Sequence, residues 1–271
     1  MIKRVIKSLG AGFGIERPVR PPKHDDPYEL VDAIEVAAKE VIAVVRPYTM
    51  CHDATLITLF RQVVHCEKYD IPGALVECGV WKGGAAGLMA RANLACGKER
   101  RDLHLFDSFQ DICEPDESVD GERALCDVRR YAGAAAGTSG ALTPIPGGYD
   151  AFGGPGTLEG NRHLLEDIIN YDPGYIHYHK GWFQETVPAS SADIGDIAIL
   201  RIDGDWYHSV KVCLAYLYPK VVSGGFTIVD DYRYYEGCTK AVDEYREEHG
   251  ISAFLHHADY SSKYHAYWIK P

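Results

Sequence analysis

Several apolar runs in this chain end in acids at spacings that suit one shared site. Ala74-Leu-Val76 runs into Glu77, Asp102–Phe106 into Asp107-Ser108, Ile197–Ile202 into Asp203-Gly204-Asp205, and Phe226–Val229 into Asp230-Asp231. Such runs read as buried parallel strands, and open α/β sheets bind ligands just outside the carboxyl ends of their strands. Asp203 (with Asp205) and the Asp230-Asp231 pair close two neighbouring strands, so their carboxylates should converge. Crowded carboxylates repel, and a proton or a cation relieves the repulsion. Hard oxygen donors without cysteine or paired histidine favour magnesium, manganese or calcium over zinc. The plainer reading makes each Asp the cap of the following helix, but a doubled acid on two adjacent strands exceeds one cap per loop.

The run from Ala74 leads through Glu77 and Gly79 to Trp81, Gly83 and Gly84, and then into an Ala- and Leu-rich helix over 85–95. Glycines let the backbone approach a ligand, and the helix start offers free N–H groups. A dinucleotide fingerprint is absent: Trp81 stands where its second glycine would lie and would crowd a pyrophosphate. Glu77 suits instead a cationic amine, as in S-adenosylmethionine. Asp107, about thirty residues further on, is placed to accept from ribose hydroxyls, or else to cap the next helix. Trp182 and Phe183, in a loop over 180–187 after a strand-like run over 175–179, either pack on an adenine ring or belong to the core. A hydroxyl held by a divalent cation beside a sulfonium donor becomes more acidic, a carboxylate or histidine takes its proton, and in-line positioning supplies much of the rate.

Alternating strands and helices must hold these residues. Helical spacing predicts helices over 28–45 and from about Asp53 to about Tyr69, with His52 or Asp53 as cap, then over 164–171, 208–217 and 238–249. Lys220–Gly225 reads as a turn, and 252–256 with 264–269 as a closing hairpin. Residues 111–160 break the alternation. Nine glycines and three prolines fall between 131 and 160, too many for a regular element, and an insertion of that length reads as a mobile lid in which Tyr131, Tyr149 and Phe152 contact substrate. The chain divides into an N-terminal arm with a proline-rich connector, 1–27, and one domain, 28–271.

With 271 residues, 46% of them hydrophobic, the chain can bury a full core, while a net charge of −11 argues against nucleic acid as partner. Its 8 cysteines show no C-x-x-C pairing and read as buried thiols in a reducing, cytoplasmic setting. No run reaches transmembrane length, so integral membrane association is not expected.

Val76-Glu-Cys-Gly-Val-Trp-Lys-Gly-Gly84, Phe106-Asp-Ser-Phe109, Arg201-Ile-Asp-Gly-Asp-Trp-Tyr207, Leu217-Tyr-Pro219 and Gly224-Gly-Phe-Thr-Ile-Val-Asp-Asp-Tyr232 together resemble the macrocin O-methyltransferase family, in order over roughly 45–245. The resemblance implies a Rossmann-like class I fold: an α/β, mostly parallel seven-stranded sheet with one antiparallel strand and helices on both faces. It implies an S-adenosyl-L-methionine- and Mg2+- (or Mn2+-) dependent O-methyltransferase acting on a sugar hydroxyl of a glycosylated natural product or glycan. Asp203, Asp230 and Asp231 would be metal ligands, with Asp203 the favoured base. Just past the metal loop, His208 could share or replace that base role. Glu77, Gly79, Trp81 and Gly83 would hold the methionyl part of the cofactor and Asp107 its ribose. Thr49 and Met50 would lie over the cofactor, and Ser108 and Trp182 would border the adenine. Family members are often oligomers, so a homo-oligomer with the N-terminal arm exchanged is expected. The insertion at 131–160 departs from the family pattern and leaves the acceptor open. Trp206, where related catechol enzymes carry lysine, weakens a catechol reading.

Two other readings remain open at this stage. One is a methyltransferase-like fold that binds a small ligand without turnover, in a regulatory role; the other is O-methylation of a phenolic acceptor. A metal-dependent hydrolase fits less well, because it has no G-x-S-x-G elbow and no use for Glu77 and the glycine loop.

Overall fold

The computed structural model describes residues 27–134, 136–258 and 264–271; the expected N-terminal arm lies outside them. Among the described residues seven strands form one sheet in the order β3-β2-β1-β4-β5-β7-β6. They are β1 (Ala74–Cys78), β2 (Leu103–Asp107), β3 (Ile176–Lys180), β4 (Ile197–Ile202), β5 (Val221–Val229), β6 (His256–His257) and β7 (Ala266–Ile269). Strands β1 to β5 pair in parallel, and β7 runs antiparallel to both of its neighbours. This is the arrangement the family resemblance implies.

Two apolar layers cover the sheet, and strand alternation assigns its residues between them. On one face Leu75, Leu105 and Ile199 pack with helices α1 (Pro27–Val45), α2 (Asp53–Lys68) and α3 (Gly84–Cys96). On the other, Val76, Phe106 and Leu200 pack with α6 (Phe183–Ser190), α7 (Tyr207–Leu217) and α8 (Glu236–Glu248). Burial of every residue of β1 and β4 explains why those strands read as unbroken apolar runs.

Three expectations change. Residues 220–225 are not a turn, because β5 starts at Val221. Gly224 at φ +80 and the shifted register between Ile197 and Ile199 absorb an irregularity that looks like a turn in sequence. The stretch after Lys180 is the helix α6, not a loop, although Pro188 lies within it. The glycine-rich insertion is preceded by α4 (Gly121–Ala132) and followed by α5 (Leu158–Arg162), which continues as a π-helical turn over His163–Ile168.

Between those helices the insertion packs rather than hangs free. Ile145 joins Cys113, Ala124, Val128 and Trp206 in a third small core. Trp81 Nε1 donates to Gly154 O at 3.1 Å, and Lys82 Nζ donates to the Phe152 and Gly153 carbonyls at 3.1 and 2.9 Å. Asn161 Nδ2 donates to Trp81 O at 2.7 Å. The insertion is thus clamped to the loop that follows β1.

Candidate active site

The carboxyl ends of the strands are tied together by single backbone bonds just past the ladder. Gly79 N donates to Phe106 O at 2.9 Å, Asp203 N to Cys78 O at 2.8 Å, and Asp230 N to Ile202 O at 3.0 Å. A Cβ on Gly79, whose φ is +90, would sit 1.8 Å from Asp203 O, so only glycine fits there. Beyond these ends the chain turns sharply: Trp81, Phe109, Asp205 and Arg233, all non-glycine, take φ of 47, 52, 52 and 68. Left-handed residues gathered at one sheet edge are strain of the kind that functional sites hold.

A cavity of about 880 Å³ opens at this edge. Glu77, Asp107, Asp203, Asp205, Asp230 and Asp231 line it, with Thr49, Met50, Gly79 and Trp81 along the β1 side. Tyr131, Tyr149 and Phe152 from α4 and the insertion form its roof, and Tyr234, Tyr235 and Tyr264 stand on the β5 side. Trp182 and Ser108 face a smaller side pocket that shares Gly79, Trp81, Asp107, Asp203 and Asp205 with the main one.

Three carboxylates meet: oxygens of Asp203, Asp205 and Asp231 lie within 4.8 Å of one another. Asp230 lines the same cavity but turns its Oδ1 to Arg201 Nη2 and to His265 Nδ1, each at 2.7 Å. Burial and mutual repulsion govern their acidity. Burial, then the neighbouring acids, push Asp203 up to about 6 and Asp205 to about 8, and raise Asp231 well above its usual range. For Asp230 burial acts upward, but Arg201 and His265 outweigh it and hold the group at about 2. The convergent hard oxygens and the repulsion among them fit a divalent cation.

Glu77 is 1% exposed, and burial lifts its carboxyl to about 8. Its Oε1 accepts from Arg201 Nη1 at 2.7 Å, while Oε2 has no hydrogen-bond partner among the described residues. A buried acceptor left unpaired is costly unless a ligand supplies a donor, so the site fits the amino group of S-adenosylmethionine. A Cβ on Gly84 would come within 2.6 Å of Thr49 Cβ, so Thr49 rests directly on the start of α3.

Asp107 stands at the expected place but is already well occupied. Its Oδ2 accepts from the Val80 and Trp81 amides at 2.7 and 2.9 Å, and its Oδ1 from the Phe109 amide at 2.6 Å. It therefore shapes the loop after β1, and ribose hydroxyls could use only its remaining lone pairs. A Cβ on Gly83, at φ +88, would meet Asn161 Oδ1 at 2.5 Å, so this glycine seats α5 more than a ligand. His208 is set apart from the acids: half exposed, it contacts Asp116 Oδ2 at 3.2 Å and borders a different surface depression. The first turn of α7 carries it outward, which separates it from the base role considered for it.

Two participants escaped the sequence reading. Arg201 was seen only inside an apolar strand, yet it is 2% exposed and bonds three acids. Asp205 appeared only as a companion of Asp203, while the structure gives it a full place in the cluster. An arginine amid a hydrophobic run two residues before an acid was the available signal.

The family model described as macrocin O-methyltransferase matches residues 42–132 and 168–270, passing over the insertion. Mycinamicin III 3''-O-methyltransferase of Micromonospora griseorubida is 32% identical over 212 residues, 75% of this chain and 74% of that protein. Demethyldecarbamoylnovobiocin O-methyltransferase of Streptomyces niveus is 36% identical over 188 residues, 68% of this chain and 62% of that protein. The match therefore spans less than two thirds of the Streptomyces relative's length. Among solved structures, that of the O-methyltransferase NovP superposes with a TM-score of 0.65 at 28% identity, covering 90% of this chain and 99% of that one.

Proposed function

Because the chain belongs to the macrocin O-methyltransferase family, we propose that it moves a methyl group from S-adenosylmethionine to a sugar hydroxyl of a glycosylated natural product, assisted by a divalent cation. The observation that carries this reading is one cavity holding both an unpartnered buried oxygen, Glu77 Oε2, and the Asp203, Asp205 and Asp231 carboxylates.

Glu77 Oε2 receives the donor's amino group, Gly79 and Gly84 let the backbone approach its methionyl part, and Trp182 and Ser108 border its adenine. Asp203, Asp230 and Asp231 hold the cation. Arg201 supports this choice by anchoring one oxygen each of Asp203 and Asp230, which fixes carboxylates for ligation as outer hydrogen bonds commonly do. A bound Mg2+ or Mn2+ supplies Lewis acidity to an acceptor hydroxyl. Asp205, close to the same point and not ion-paired to a basic side chain among the described residues, takes the proton in place of Asp203. Tyr149 and the neighbouring roof residues keep water out and orient the sugar for in-line attack on the sulfonium methyl.

Among the described residues lining the cavity, Arg201 is the sole lysine or arginine, and it is already paired. The acceptor subsite therefore suits an uncharged glycoside better than one bearing phosphate. A panel of glycosides incubated with S-adenosylmethionine tests the reading by product mass. A gain of one methyl that EDTA abolishes and Mg2+ restores supports it; no methylated product, or one indifferent to EDTA, counts against it.

A further inference from the structure

Arg201 faces Glu77 directly across the β1–β4 pairing and lies two residues before Asp203, which follows the end of β4. Its Nη1 donates to Glu77 Oε1 at 2.7 Å and also to Asp203 Oδ2 at 2.9 Å. Nη2 donates to Asp230 Oδ1 at 2.7 Å. One nitrogen thus serves an acid from each half of the cavity: Glu77, which faces the donor, and Asp203, which faces the cation. Glu77 is almost wholly buried and presents its unpartnered Oε2 to the same space.

We propose that Arg201 is a positioning residue that couples donor binding to cation binding. The inference rests on the function proposed above and adds to it a link that neither subsite has alone. When a divalent cation draws on Asp203, Nη1 is left to Glu77, and Glu77 is fixed with its free oxygen toward the donor's amino group. By reciprocity, a donor seated on Glu77 leaves Asp203 better arranged for the cation. The planar fork of a guanidinium is what allows one side chain to bridge three acids; a lysine ammonium is a single point charge on a flexible stem. An arginine that merely neutralised buried acids would stabilise the fold without linking two ligands.

Calorimetric titration with S-adenosylhomocysteine reads the link directly. Its thioether is uncharged, so no sulfonium–cation repulsion is superimposed on the result. In the wild-type protein saturating Mg2+ should tighten its binding by about five- to tenfold over EDTA-treated protein, and the bound thioether should tighten Mg2+ by the same factor. In Arg201→Met and Arg201→Lys the two ligands should still bind, with the factor reduced to about twofold or less. Where Arg201→Met does not fold, Arg201→Lys decides, because it keeps a charge among the acids. Wild-type binding unaffected by Mg2+, or the full factor surviving in Arg201→Lys, overturns the proposal. If S-adenosylhomocysteine or Mg2+ fails to bind the wild-type protein at all, the proposed function falls; if both bind independently, only the coupling does.

Discussion

Asp203 and Gly79 meet backbone to backbone: the Asp203 carbonyl occupies the place a Gly79 side chain would need, 1.8 Å from an ideal Cβ. This contact joins the ends of β1 and β4 and sets how far Glu77 stands from the acids beyond β4. The loop after β1 and the acidic cluster therefore form one construction, with no room for adjustment at the seam.

Gly79→Ala should accordingly cost roughly 3 kcal/mol of stability or more, since it adds a left-handed penalty to a backbone clash. Urea denaturation measures it. A loss below about 1 kcal/mol, the ordinary range for a surface change, would mean that the two strand ends can part.

Asp205→Asn separates the proposed base from the proposed cation ligands. Removing a general base should lower kcat by about 10²- to 10⁴-fold, while Mg2+ still binds, weakened by about tenfold at most for the lost neighbouring charge, because the proposed ligating acids remain. Loss of Mg2+ binding in this variant would make Asp205 a ligand instead.

Tyr149, within the insertion, lines the cavity, where burial first and then Asp205, Asp107 and Asp203 push the pKa of its hydroxyl up. Tyr149→Ala should raise KM for the glycoside by about tenfold, in line with the loss of a buried aromatic contact, and leave the affinity for S-adenosylhomocysteine within about twofold. A weakened donor with an unchanged acceptor KM would place this ring on the donor side.

Acid should loosen the β2–β3 edge. His104 Nδ1 and His179 Nε2 lie 3.0 Å apart with stacked rings, and burial first, then neighbouring histidines, hold both at about 4. The unfolded chain takes up these protons near pH 6.5, so the folded state is disfavoured as protons are added. Their stabilising contribution is whole above about pH 6.5 and declines as the pH falls from there toward about 4, by at most about 1.4 kcal/mol per pH unit for each ring. The difference in urea midpoint between pH 7 and pH 5 should shrink in His179→Phe; an undiminished difference would assign the acid sensitivity elsewhere.

Apolar runs ending in acids were enough to place β1, β2, β4 and the end of β5 with the acids beyond them, because a strand buried on both faces leaves a continuous hydrophobic signature. The motifs around Glu77, Asp203 and Asp230 were enough for the family. What sequence hid was direction. Asp230 turns to Arg201 and His265 while Asp205 joins Asp203 and Asp231, a choice made by a left-handed turn at Asp205 and by contacts distant in sequence. His208 leaves the site because α7 begins at Tyr207 and its first turn aims that side chain outward. The insertion looked formless because its glycines carry no periodicity, yet backbone carbonyls at Phe152, Gly153 and Gly154 are what hold Lys82 and Trp81.

The most direct measurement is anomalous scattering from a crystal of the protein soaked with Mn2+ and S-adenosylhomocysteine. The account predicts one strong manganese peak among Asp203, Asp230 and Asp231, with the thioether's amino group on Glu77. A map with no manganese at these carboxylates, while the thioether occupies the cavity, would contradict it.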